Sequence, residues 1–109
     1  MVTSDNDGMT ARLRHVVLFR WKDDTTPEHI AAIEDALASL PALIPELIEY
    51  HFGRDAGLSD GNWDFVVVAD LASVEDWETY RDHPAHQAAI IERIRPHVAE
   101  RAAVQHHLR

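Results

Sequence analysis

Leu13-Arg14-His15-Val16-Val17-Leu18-Phe19-Arg20-Trp21 decides the fold. β-Branched and aromatic side chains dominate this stretch, and in an extended chain successive side chains point to opposite faces. His15, Val17, Phe19 and Trp21 therefore share one face, and Val16 and Leu18 share the other. Apolar groups on both faces of a strand require cover on both sides. Helices of the same chain can cover one face. The simplest cover for the other is the same face of a second copy.

A second stretch of this kind runs from Trp63 to Leu71, where Phe65, Val67, Ala69 and Leu71 alternate with Asp64, Val66, Val68 and Asp70. Between the two, Thr25 or Thr26, Pro27 and Glu28 supply an N-cap, an early helical proline and a capping-box acid. Ile30, Ile33, Leu37 and Leu40 then form one apolar stripe, which Pro41 is expected to end, leaving residues 42–46 as an irregular linker. Leu47 to Gly53 reads as a strand with Ile48, Tyr50 and Phe52 on one face and Glu49 and His51 on the other, the half-polar pattern of an edge or of a wet face. Arg54 to Asn62 is turn chemistry. Beyond Leu71, the Ser73-Val74-Glu75-Asp76 signature starts a helix carrying Val74, Trp77 and Tyr80 on one side. A third helix follows with Ala88, Ile91, Arg95 and Val98 in one row, and Pro96 late in it is expected to kink or weaken it. Ala102 to Leu108 forms the last strand. The order β-α-β-β-α(α)-β is the ferredoxin-like, split βαβ arrangement of the α+β class, a four-stranded antiparallel sheet with helices on one face. Its bare face predicts a two-fold homodimer, a dimeric α/β barrel, through Val16, Leu18, Val66 and Val68.

Composition narrows the function classes. At 109 residues and 46% apolar content the chain fits one domain. Residues 1–10 read as a loose polar tail without the basic and apolar regions of a signal peptide, and 11–109 as the domain. The absence of cysteine suits a reducing, cytoplasmic setting and excludes a thiolate nucleophile. A net charge of −9 repels nucleic acid and anionic membrane surfaces. No apolar run approaches the roughly 20 residues of a membrane helix. His51, His97, His106 and His107 show no metal-ligand spacing, so no metal and no cofactor are expected.

The chemistry concentrates at Tyr80-Arg81-Asp82-His83-Pro84-Ala85-His86-Gln87. His83-Pro84 breaks one helix and Pro84 opens the next, so His86 falls in a first turn whose field disfavours imidazolium. A neutral imidazole and a phenol at one corner can act as general base and hydrogen-bond donor, or can brace two helices. His15 is either a core histidine satisfied by a neighbour or a site residue.

In this order and spacing, the chain resembles the stress-responsive dimeric α/β barrel proteins, the Dabb domain. The marks are Leu13 to Phe19, Ile44-Pro45 closing a linker, Phe52-Gly53-Arg54, Trp63-Asp64 and Tyr80-x-x-His83-Pro84-x-His86. The resemblance implies the same fold and a sheet-to-sheet dimer. Some plant members are polyketide cyclases that close a ring by aldol condensation. It implies that Tyr80 and His86 match their catalytic pair, that His15 matches a pocket histidine, and that Phe65 stands where they carry a further histidine.

The sequence thus predicts a pocket between sheet and helices, with Tyr80 and His86 as catalytic residues and His15, Phe19, Phe65 and Trp77 binding a small apolar or carbonyl-containing molecule. Cofactor-independent cyclase, aldol or isomerase chemistry is one reading. A non-catalytic ligand-binding or stress-protective dimer is another, and a cofactor-free monooxygenase, by analogy of fold alone, a third.

Overall fold

In the computed structural model, which describes residues 10–109, Leu13–Trp21 forms strand β1, its alternate residues Leu13, His15, Val17 and Phe19 buried and Arg14, Val16 and Leu18 half-buried. The expected polar tail falls, apart from Thr10, outside the described residues. Helices α1 (Pro27–Ala38) and α2 (Leu40–Leu43), strands β2 (Glu49–Arg54) and β3 (Phe65–Leu71), helices α3 (Val74–Asp82) and α4 (Pro84–Ala89), and strand β4 (Val98–His107) follow in order. All neighbouring strands are antiparallel, in the order β2-β3-β1-β4. The two doubly apolar strands are thus central, and the half-polar β2 is an edge.

The register pairs Val16 with Val68 and Leu18 with Val66, so the four residues expected on the bare face do lie side by side. On the other face Val17, Phe19, Phe65, Val67, Ala69 and Leu71 pack with Ile33, Leu37, Leu40, Ile44, Tyr80 and Ile94 in one core. That layer of helices leaves room against β1 and β4 for a cavity.

Four local expectations need correction. The capping box of α1 is closed by His29 and not Glu28: the Thr26 N–H donates to His29 Nδ1 and the His29 N–H to Thr26 Oγ1, each at 3.1 Å. Pro41 does not end the apolar stripe in a loose linker, because a proline in a first turn forfeits no hydrogen bond and Leu40–Leu43 forms a further turn of helix. Beyond α4, Ile90–Ile94 winds as a π-helical turn and Arg95–His97 as a 3-10 turn. Pro96 lacks an N–H and its ring clashes with an upstream carbonyl, so the regular helix cannot run through it. Val98 consequently belongs to β4, which starts four residues earlier than its alternation indicates.

Candidate functional site

A cavity of about 320 Å³ lies between the helix-facing side of β1 and β4 and the turn joining α3 to α4. Its walls are mostly apolar, formed by Val17, Phe19, Leu37, Val67, Ile90 and Ile94. The polar groups that converge on it are His15, Tyr50, Tyr80, His86 and Gln87, with three arginines. An apolar concavity with a few convergent polar groups is the usual form of a small-molecule site.

The corner holds its two residues as the chain sequence demands. Ser73 caps α3 by accepting from the Asp76 N–H at 3.1 Å. At the far end the His83 backbone turns extended ahead of proline, and its Nδ1 accepts from the Ala85 N–H at 3.0 Å, capping α4. These two caps fix Tyr80 in the last turns of α3 and His86 in the first turn of α4, with ring centroids 4.2 Å apart. His86 Nδ1–H donates to the Arg81 carbonyl at 3.0 Å. A carbonyl can only accept, so the proton sits on Nδ1 and Nε2 carries the lone pair. Among the described residues no protein group is bonded to that Nε2. Burial, assisted by the His83 and Arg101 charges, lowers the His86 pKa and outweighs the bond to the Arg81 carbonyl, which favours the charged form. The ring is neutral at pH 7.

His15, buried on β1, accepts from the Gln105 side-chain amide of β4 at Nδ1, 2.8 Å away, so its own proton is on Nε2. Burial first, then the Arg101 and His86 charges, push its pKa down to about 4. The Tyr80 hydroxyl lies 3.5 Å from that of Tyr50 on the edge strand. Burial raises both phenols above their ordinary value, so both stay protonated. The site therefore presents one proton acceptor, His86 Nε2, beside the donors His15 Nε2–H and the tyrosine pair.

The structure brings Tyr80, His86, His15, Phe19 and Trp77 to this cavity. Phe65 is the exception. It is fully buried in the core, ring-packed on Trp21 at 5.5 Å and Phe52 at 6.4 Å, and does not line the cavity. Tyr50, Arg95, Arg101 and Gln105 were not assigned to the site from the sequence. The alternation of β2 already placed Tyr50 on its inner face. Arg101 and Gln105 needed the β1–β4 register, which sets them opposite Phe19 and His15. Among the described residues no group of three or more His, Cys, Asp or Glu could hold a metal ion, and no helix is long and apolar enough to cross a membrane.

A four-stranded ferredoxin-like sheet with a helix-covered cavity on one face defines the class as a single α/β barrel half. The chain belongs to the stress responsive A/B barrel domain family, Dabb, which it matches over residues 13–106. It is 29% identical to the stress-response A/B barrel domain-containing protein HS1 of Arabidopsis thaliana over 76 residues, 68% of this chain and 70% of that one. Its fold is similar to a dimeric ferredoxin-like protein from Thermobifida fusca, with 49% identity, a TM-score of 0.84, and 94% and 93% of the two chains covered. It is also similar in fold to the hydroxynitrile lyase of Passiflora edulis, with 19% identity, a TM-score of 0.80, and 91% and 94% covered.

Proposed function

We propose that this protein is a homodimeric, cytoplasmic enzyme that removes a proton next to a carbonyl in a small, mostly apolar molecule, without a cofactor, in a cyclase, aldol, lyase or isomerase reaction. One observation carries the reading. His86 is anchored through Nδ1, which leaves a neutral Nε2 lone pair beside a protonated Tyr80 in a cavity of ligand size. Nε2 takes the proton from the carbon; the Tyr80 O–H donates to the carbonyl oxygen as it becomes an enolate; the imidazolium then returns the proton to product. His15 Nε2–H offers a second donor to a second oxygen. The Thermobifida fusca relative is described as dimeric, which with the half-buried Val16, Leu18, Val66 and Val68 supports a partner copy on the bare sheet face.

Exchange of α-protons of a medium-chain methyl ketone in D2O, followed by NMR, tests the first step without knowledge of the natural substrate. The protein is expected to accelerate exchange, and His86→Gln and Tyr80→Phe each to lower it on the order of a hundredfold with the fold intact. No acceleration by the native protein refutes catalysis of this type. A second reading rests on the same contacts: the His86 bond to the Arg81 carbonyl and the Tyr50–Tyr80 contact hold the helix corner together in a stable, ligand-binding or stress-protective dimer. In that case the substitutions lower the melting temperature and remove no turnover.

A further inference from the structure

The chain carries nineteen acidic residues against ten basic ones, yet no carboxylate lines the cavity and three arginines do: Arg81, Arg95 and Arg101. Arg81 is already neutralised by a two-pronged pair with Asp82, at 2.8 and 2.9 Å, and lies over the Trp77 ring. Arg95 and Arg101, like Arg12, Lys22, Arg93 and Arg109 away from the cavity, form no ion pair among the described residues. Arg101 projects from β4 on the cavity side, opposite Phe19 in the register, and its charge favours the deprotonated form of His15, Tyr80 and His86 alike, although burial still leaves the Tyr80 phenol above its ordinary value. An uncompensated positive charge at the entrance of an apolar cavity, in a protein of net charge −9, is an arrangement that a bound anion would complete.

We infer that the ligand of this cavity is an amphipathic carboxylic acid, its apolar chain held among Val17, Phe19, Leu37 and Ile94 and its carboxylate at Arg101 and Arg95. This deepens the proposed reaction by naming its substrate class, a carbonyl-bearing acid, and rests on that reading for the chemistry but not for the binding. The guanidinium of Arg101 suits a carboxylate because its planar fork can donate two parallel N–H bonds. With the acid end fixed at the entrance, the chain carbons reach inward towards His86 Nε2, and the ligand offsets the Arg101 contribution that adds to the larger effect of burial in keeping His86 neutral.

Calorimetric titration with octanoate and with its neutral isostere octanamide, at pH 7 and low ionic strength, tests the inference. Octanoate is expected to bind at least tenfold more tightly. That preference should weaken at high salt and disappear in Arg101→Gln combined with Arg95→Gln, whose far-UV circular dichroism should match the native protein. Because both arginines are exposed on the surface, the double variant is expected to fold, and the native comparison stands without it. Equal affinity for the two compounds, preference for the amide, or binding of neither overturns the inference. Loss of proton exchange with the octanoate preference intact would instead sink the catalytic reading and leave this one standing.

Discussion

The hydroxyl oxygens of Tyr50 and Tyr80 stand 3.5 Å apart, one on the edge strand and one on α3, and each is the other's only protein partner among the described residues. Good O–H···O bonds are nearer 2.7–2.8 Å, so this contact holds little energy and leaves the Tyr80 proton available to a ligand when Tyr50 donates. Tyr80→Phe is therefore expected to cost less than about 1 kcal/mol in urea unfolding. Truncation to alanine empties a fully buried ring and should cost about 3–5 kcal/mol. If Tyr80→Phe destabilises as much as Tyr80→Ala, the hydroxyl is structural and the donor role is wrong. Tyr50→Phe should slow proton exchange while leaving the cavity intact, since it removes only the group that orients Tyr80.

Arg14 and Asp70 form a bidentate pair at 2.8 Å across β1 and β3, and the two partners are unequally wet: the carboxylate is 3% exposed, the arginine side chain 40%. Removing one partner strands the other. Arg14→Leu abandons a buried carboxylate and should cost about 3 kcal/mol. In the single chain Asp70→Leu frees an arginine that water can reach, and should there cost no more than about 1 kcal/mol. Equal losses in chemical denaturation would show that the two ends are equally desolvated, contrary to this geometry.

Val68 faces Val16 across the bare side of the sheet, and Val66 faces Leu18. If a second copy covers that side, a charge placed there must be desolvated without a partner, at a cost of several kcal/mol. Val68→Glu is expected to yield a monomer by light scattering. A surviving dimer would move the interface elsewhere on the molecule.

The strands that carry the core were legible because burial imposes a period of two, and β1 and β3 state it twice, once per face. What the sequence concealed follows one pattern. Pro41 was read as a stop and Pro96 as a kink within a continuing helix, but a proline is only incompatible with the turn behind it, so one begins a short helix and the other converts a helix end into π and 3-10 turns. Phe65 was placed in the pocket because the resemblance sets it where the plant cyclases carry a further histidine. Its face is the helix-facing one, but there its ring packs on Trp21 and Phe52 and does not line the cavity. Arg101 lies just before, and Gln105 within, the run Ala102 to Leu108 read as the last strand, and only pairing with β1 shows that they share the side of His15. Local pattern gives faces; which residues on a face meet depends on register and packing between distant segments.

His15 gives the fold an acid-sensitive point whose sign is fixed by its burial. In the unfolded chain its ring titrates near 6.5, and in the fold at about 4. Between those values the unfolded chain binds a proton that the folded chain refuses, so stability is constant above pH 6.5 as far as this ring is concerned, falls as pH drops towards 4, and levels off below. The ring is worth about 3 kcal/mol over that window. His86, lowered for the same reason, adds loss in the same direction. Carboxylates also lose their partners in acid, so the decisive quantity is the difference between proteins. Urea midpoints measured at pH 7.5 and pH 4 should fall further for the native protein than for His15→Leu, whose side chain has no proton to refuse and whose former partner Gln105 is exposed to water. Parallel losses in the two proteins would mean that His15 is protonated as readily in the fold as out of it, and that the cavity wall is wetter than its packing implies.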